Sequence, residues 1–169
     1  VSVAIGLIAN GRGYLAADHV VADTSGDARS DQNKIHRLKD GSYIAFCGSL
    51  KAWENLLELI KEYGGVKEIP CKAKLTHTEL SALWLCPGPH LFLIQCDLSL
   101  VEITKPPYCA VGIGGDLATG SLAAWVGLSG IRLRRMQDKQ VRKTLRYVMK
   151  TVFAFNKFCG GKVLIRTVA

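Results

Sequence analysis

The chain is poor in the features that announce the commoner chemistries. It has no apolar run long enough to cross a bilayer as a helix, so no membrane partner is expected. Its first residues, Val1 to Ile8, carry no basic stretch and make too short an apolar segment for a secretory signal, so a cytoplasmic location is expected. It has six cysteines but no C-x-x-C pair, and none lies at zinc-finger spacing from a histidine. No metal and no cofactor is therefore expected. Four of the six, Cys47, Cys86, Cys96 and Cys109, fall in apolar strand-like runs and read, with Cys71 and Cys159, as free buried thiols.

Acidic residues are also short, 14 against 22 Lys and Arg, which gives a net charge of +8. Much of the excess lies between Arg132 and Lys150, at Arg132, Arg134, Arg135, Lys139, Arg142, Lys143, Arg146 and Lys150. Such a stretch suits nucleic acid in principle. No aromatic residues alternate with these charges and no nucleic-acid module motif is present. The stretch reads instead as the solvated or partner-facing side of an amphipathic helix. The loop Gly112-Ile113-Gly114-Gly115 lacks the Lys-Ser/Thr of a phosphate loop and the acidic residue of a dinucleotide site, so it reads as a tight turn.

What is present suits a folded enzyme-sized unit. With 169 residues, 49% hydrophobic and 21% charged, the chain is expected to form one compact domain spanning 1–169, with no linker and no internal repeat. An apolar run from Val3 to Ala9, the turn signal Asn10-Gly11 and a return strand from Tyr14 to Ala17 predict a β-hairpin. Val20 to Asn33 reads as a polar loop. Strands are expected at 35–37 and 43–47, then a helix capped by Ser49, with Trp53, Leu56, Leu57 and Ile60 on one face and Gly64-Gly65 at its end. Val66 to Thr78 reads as irregular chain or a short helix. Four strands follow at 82–86, 91–95, 98–103 and 109–113. Asp116 is expected to cap a second helix running to about Leu128. A third helix places Val141, Leu145, Val148, Val152 and Phe155 on one face, and Val163 to Val168 closes the fold as a strand. Strands in antiparallel runs between helices predict an α+β sandwich of stacked sheets covered by helical layers.

Several residues suit nucleophilic catalysis. A serine hydroxyl is a weak nucleophile at neutral pH and needs a nearby base. A free α-amine has a reference pKa of about 8 and can serve as one. A lysine beside the hydroxyl favours its ionised form, a carboxylate holds the lysine charged, and a backbone N–H at a glycine turn can stabilise an oxyanion. Ser2 at the start of the first strand, Asp18 at the end of the second, Lys34 after the polar loop and Gly48 at a strand-to-helix turn supply these groups.

The hairpin S-V-A-I-G-L-I-A-N-G-R-G-Y-L-A-A-D resembles the opening of proteasome β subunits and of the bacterial HslV peptidase. The separation of Asp18 from Lys34 matches the family, and counting back puts the nucleophile at Ser2 and the turn glycine at Gly11. Y-I-A-F-C-G-S places Gly48 at the oxyanion position and Phe46 where the family shapes its specificity pocket. Ala110 to Gly115 resembles the family's "IGSGG" turn, and Phe158-Cys159-Gly160-Gly161 resembles the turn after the last helix. The resemblance implies the four-layer αββα sandwich of N-terminal-nucleophile hydrolases. It further implies hydrolysis of a peptide or unfolded-protein substrate inside a homo-oligomeric ring, with an ATP-dependent unfoldase as partner. The chain departs from the family in four ways: Ser2 replaces threonine, Val1 precedes it, Ile113 replaces a serine, and Asn156 and Cys159 stand for an aspartate and a serine. A ring subunit without peptidase activity, with a structural or partner-binding role, and an amidohydrolase of small molecules are the alternatives. His19, beside Asp18, is a further candidate base.

Overall fold

The computed structural model describes residues 2–22, 29–31, 33–70, 72–75, 80–129 and 133–169. The chain opens with the hairpin β1 (Val3–Ala9) and β2 (Arg12–Asp18). Asn10 and Gly11 join them with φ of 50° and 67°. Two left-handed residues in succession match the twist of the flanking strands, which is why Asn-Gly is favoured there. Within the expected polar loop lie two short paired strands, β3 (Val20–Ala22) and β4 (Arg29–Asp31). Then come β5 (Ile35–Arg37), β6 (Tyr43–Gly48) and helix α1 (Leu50–Tyr63). The strands β7 (Leu80–Cys86), β8 (His90–Ile94), β9 (Leu100–Glu102) and β10 (Tyr108–Gly112) follow. Helices α2 (Gly115–Ser129) and α3 (Asp138–Phe155) flank a 3-10 turn at Leu133–Arg135, and β11 (Val163–Val168) ends the chain.

The strands form two main antiparallel sheets, ordered β10-β1-β2-β11 and β5-β6-β7-β8-β9. Alternation along β1 divides the core. Val3, Ile5, Leu7 and Ala9 pack with α2 and α3, whereas Ala4 turns to the second sheet. Leu83, Leu85, Leu91, Leu15 and Ala17 fill the space between the sheets. On the far side, Ile44, Phe46 and Trp84 pack against Ala52, Trp53, Leu56 and Ile60 of α1. The result is the expected αββα arrangement of four layers. Each wholly buried Val, Leu or Met of α3 contributes roughly 1.5–3 kcal/mol of transfer free energy, and Val141, Leu145, Val148, Met149 and Val152 are all fully buried.

Four local expectations need correction. Asp116 does not cap α2: the helix begins at Gly115, the Ala118 N–H donates to the Gly114 carbonyl, and Asp116 sits in the first turn. A carboxylate there still complements the positive end of the helix. Phe155 shares the periodicity of α3 but is 79% exposed. Cys96 lies exposed in the turn between β8 and β9 rather than in a strand, and Cys86 and Cys109 are only partly buried. Arg142 is not part of the open basic face. It donates to Asp138 at 2.8 Å and to Thr167 Oγ1 at 2.6 Å, tying α3 to β11. Cys71 lies outside the described residues. Between α1 and β7 the described residues form bends, turns and irregular chain, the first of the two expectations for that segment.

Candidate active site

The first-strand register brings the site together. Ala4 pairs with Ala17, so Val3 and Ser2 run alongside the end of β2, and the Val3 N–H donates to Asp18 Oδ1 at 3.2 Å. Lys34 enters from the residue before β5. Its Nζ donates to Asp18 Oδ1 at 2.7 Å and to Ser2 Oγ at 2.6 Å. Ser2, Asp18 and Lys34 are 3%, 0% and 1% exposed. The structure therefore brings together three of the four residues singled out for catalysis, although they are far apart along the chain.

Burial of this ion pair shapes its electrostatics. A charge removed from water is costly unless partnered and hydrogen-bonded. Among the described residues Asp18 has three donors: Lys34 on Oδ1, Val3 on Oδ1, and the Gly160 N–H on Oδ2 at 3.3 Å. Burial still pushes its carboxyl above the ordinary carboxylate range, with Lys34 and the two backbone donors pulling the other way. Two thiols flank the pair. Burial pushes Cys159 up to about 12, with Asp18 adding to the rise and Lys34 opposing it. Burial pushes Cys47 higher as well. Both are therefore neutral thiols at neutral pH, and neither is a competing nucleophile.

Ser2 lies in the wall of a cleft of about 540 Å³. Gly48, Gly112 and Ile113 also line it, and Leu80, Leu93, Gln95 and Cys96 come from β7, β8 and the turn beyond. Gly48 has φ of 123°, a conformation that favours glycine. Gly112, at φ of 90°, is required twice over, because a Cβ there would stand 2.2 Å from the Ser2 carbonyl oxygen and 2.8 Å from Cys47 Sγ. The fourth catalytic candidate, Gly48, thus joins Ser2 at the cleft.

Phe46 lies elsewhere. Alternation along β6 sends Ala45 and Cys47 toward the first sheet and Phe46 toward α1. It is 3% exposed and stacks on Trp53 with ring centroids 4.0 Å apart and planes 6° from parallel. It is absent from the lining of the Ser2 cleft. Asn156 caps α3 and holds the glycine turn: its Nδ2 donates to the Ile113 carbonyl at 3.3 Å, and its Oδ1 accepts from the Phe158 N–H at 3.0 Å. Ile113 itself is 55% exposed at the cleft. Sequence reasoning singled out the Phe158 to Gly161 turn but missed Gly160 as a donor to Asp18, and it missed Cys47 as a neighbour of the pair. A backbone donor leaves no residue-type signal, and a small thiol in a strand reads as core.

Neither a family model nor a curated protein matches this sequence. Solved structures do match its shape. HslV from Trypanosoma brucei superposes with a TM-score of 0.73 at 19% identity, covering 98% of each chain. Thiobacillus denitrificans BPH gives 0.71 at 17% identity over 98% of this chain and 97% of that one. The Anbu (Gly-1) mutant from Hyphomicrobium sp. strain MC1 gives 0.79 at 14% identity over 98% of this chain and 80% of that one. The chain has the fold of the HslV and proteasome-type N-terminal-nucleophile hydrolases.

Proposed function

We propose that this chain is an HslV-like peptidase subunit whose nucleophile is Ser2. The observation that carries the reading is the position of Lys34 Nζ, hydrogen-bonded at once to Ser2 Oγ and to the buried Asp18 carboxylate beside an open cleft. In this reading Ser2 Oγ attacks the substrate carbonyl carbon. Its proton passes to the α-amine of Ser2, and the amine returns a proton to the leaving nitrogen. The Lys34 ammonium stabilises negative charge developing on Oγ, and Asp18 keeps Lys34 charged and aimed. The Gly48 N–H donates to the oxyanion. Water then hydrolyses the ester left on Ser2. Amine assistance requires Ser2 to be the first residue, because while Val1 is joined to it the Ser2 nitrogen is an amide and not a base.

The whole span 1–169 acts as one domain in a homo-oligomeric ring, on unfolded or peptide substrate, with an ATP-dependent unfoldase as the partner that the likeness suggests. Phe46, buried against Trp53 on the α1 side of β6, is not part of the surface that substrate meets in this reading. A cytoplasmic setting fits the free thiols, and among the described residues no helix is long and apolar enough to cross a membrane.

One observation favours a second reading, a ring subunit without peptidase activity: Ile113 presents a hydrocarbon side chain at the cleft where the resemblance calls for a hydroxyl. Replacing Ser2 with Ala distinguishes the two. Peptide hydrolysis by the chain beginning at Ser2 should disappear in Ser2→Ala, and unchanged turnover would sink the assignment of the nucleophile.

A further inference from the structure

The cleft beside Ser2 has a second wall that the proposed chemistry leaves unused. Strand register builds it. Cys47 on β6 pairs with Ser81 on β7. Ala82 pairs with Ile94, so the same register sets Ser81 beside Gln95, the residue after β8. Side chains alternate along a strand. Ser81 therefore shares a face with Leu83 and Leu85, and Gln95 shares one with Leu91 and Leu93, which all pack between the sheets. Cys47, Ser81 and Gln95 thus form one row across the sheet, and all three line the Ser2 cleft. Cys47 is buried, and its Sγ is turned to the Val111 carbonyl at 3.5 Å. Ser81 is half-buried and Gln95 is exposed, so the polar end of the row is open to a bound molecule.

The turn after β8 fixes how Gln95 presents its amide. The Gln95 N–H donates to the Ser99 carbonyl at 3.1 Å, and the Leu98 N–H donates to the Gln95 carbonyl at 2.9 Å. Asp97 Oδ1 accepts from the Ser99 N–H at 2.9 Å. Ser99 Oγ, held in this way, donates to Gln95 Oε1 at 2.9 Å. The amide oxygen is therefore occupied, and the Nε2–H donors are left for a ligand. Among the described residues nothing accepts from Gln95 Nε2, and the Ser81 hydroxyl has no partner. No charged side chain among the described residues lines the cleft, although the molecule has a net charge of +8. Leu80, Leu93 and Ile113 supply hydrocarbon beside the two polar groups.

We propose that Gln95 and Ser81 select a substrate residue with an uncharged hydrogen-bonding side chain, a carboxamide above all. The assignment rests on the peptidase reading of the Ser2 cleft. A carboxamide oxygen accepts from Gln95 Nε2, and its NH2 group donates to Ser81 Oγ. An ionised side chain would lose water here with no counter-ion in the wall to replace it. A hydrocarbon side chain would cover the Gln95 and Ser81 groups and leave them without partners. A lone hydroxyl is too short to reach both. Ser99 acts through Gln95 and is a positioning residue.

The test uses the full chain as Ser2→Ala, so that binding is read without turnover. Blocked hexapeptides of glycine and alanine carry a single Gln, Asn, Leu, Glu or Lys, moved through each position. Binding is measured by calorimetry. It is also measured by protection of Cys96, an exposed thiol lining the same cleft, from alkylation located by peptide mapping. At one position Gln or Asn should bind severalfold to about tenfold more tightly than Leu, Glu or Lys, the scale of a hydrogen bond within reach of water. The same peptides should protect Cys96. Gln95→Glu should turn the preference to Lys. Ser99→Ala should flatten it and Ser99→Thr should keep it, with native melting in each. Equal binding of all the peptides, no binding, or a carboxamide preference that survives Gln95→Leu/Ser81→Ala overturns the proposal. Turnover of the same peptides by the chain beginning at Ser2 separates this proposal from the reading beneath it. Hydrolysis with no dependence on Gln95 would sink the subsite and leave the peptidase. Carboxamide-selective binding with no hydrolysis would sink the peptidase and leave the subsite.

Discussion

Three buried polar side chains, Ser2, Asp18 and Lys34, depend on one another. Removing one partner of a buried ion pair leaves an uncompensated charge, at a cost of about 3–5 kcal/mol. Asp18→Asn should therefore lower the stability to denaturant by that order and abolish hydrolysis, since Lys34 then loses the anion at 2.7 Å that fixes it. Chemical denaturation checks this, and a loss within experimental error would show that the pair is not uncompensated on substitution. The raised Asp18 pKa adds a pH prediction. Because the folded state holds this proton more tightly, the group's contribution to stability is present at low pH and is lost as pH rises through the folded pKa. Catalysis needs the opposite form, the carboxylate. The acid limb of the rate profile should thus fall above the ordinary carboxylate range, with the fold intact across it; a limb at or below that range would contradict the assigned cause. The separation of Asp18 and Lys34 was legible as a count along the chain. The backbone donors to Asp18, Val3 and Gly160, were not, because backbone N–H groups are common to every residue type except proline.

At the scale of elements, periodicity located most strands and all three helices, and failed where an element outlasts its neighbour. The apolar spacing of α3 continues to Phe155, but the packing that buries Val152 does not extend to it, so the ring is 79% exposed. The cap assigned to Asp116 failed because Gly114 already supplies the first helical acceptor. Phe46 was placed in the right strand, and strand alternation then turned it toward α1, which a motif match alone does not register. The exposed glycines of α2 give the clearest prediction at this scale. Gly120→Ala and Gly127→Ala should each stabilise the isolated chain by about 0.5–1 kcal/mol, because alanine restricts the unfolded chain and suits the helix. Thermal melting checks this. Destabilisation by either would show that the glycine serves the fold of this chain.

For the whole molecule, order along the chain was enough to predict two sheets between helical layers, and the superposition on HslV over 98% of each chain agrees with that architecture. The edge where β1, β2, β6 and β10 meet holds the Ser2 cleft, and the outer α2–α3 layer holds the basic face. The central claim is that Ser2 becomes a nucleophile when its own amine is free. Intact mass with peptide mapping, after exposure to an electrophile that needs both a hydroxyl and a free α-amine, tests this most directly. The account predicts one adduct, on Ser2, in the chain that starts at Ser2, and none in the chain that keeps Val1 or in Ser2→Ala. Peptide hydrolysis by the Val1-bearing chain, with no adduct on either form, would contradict it.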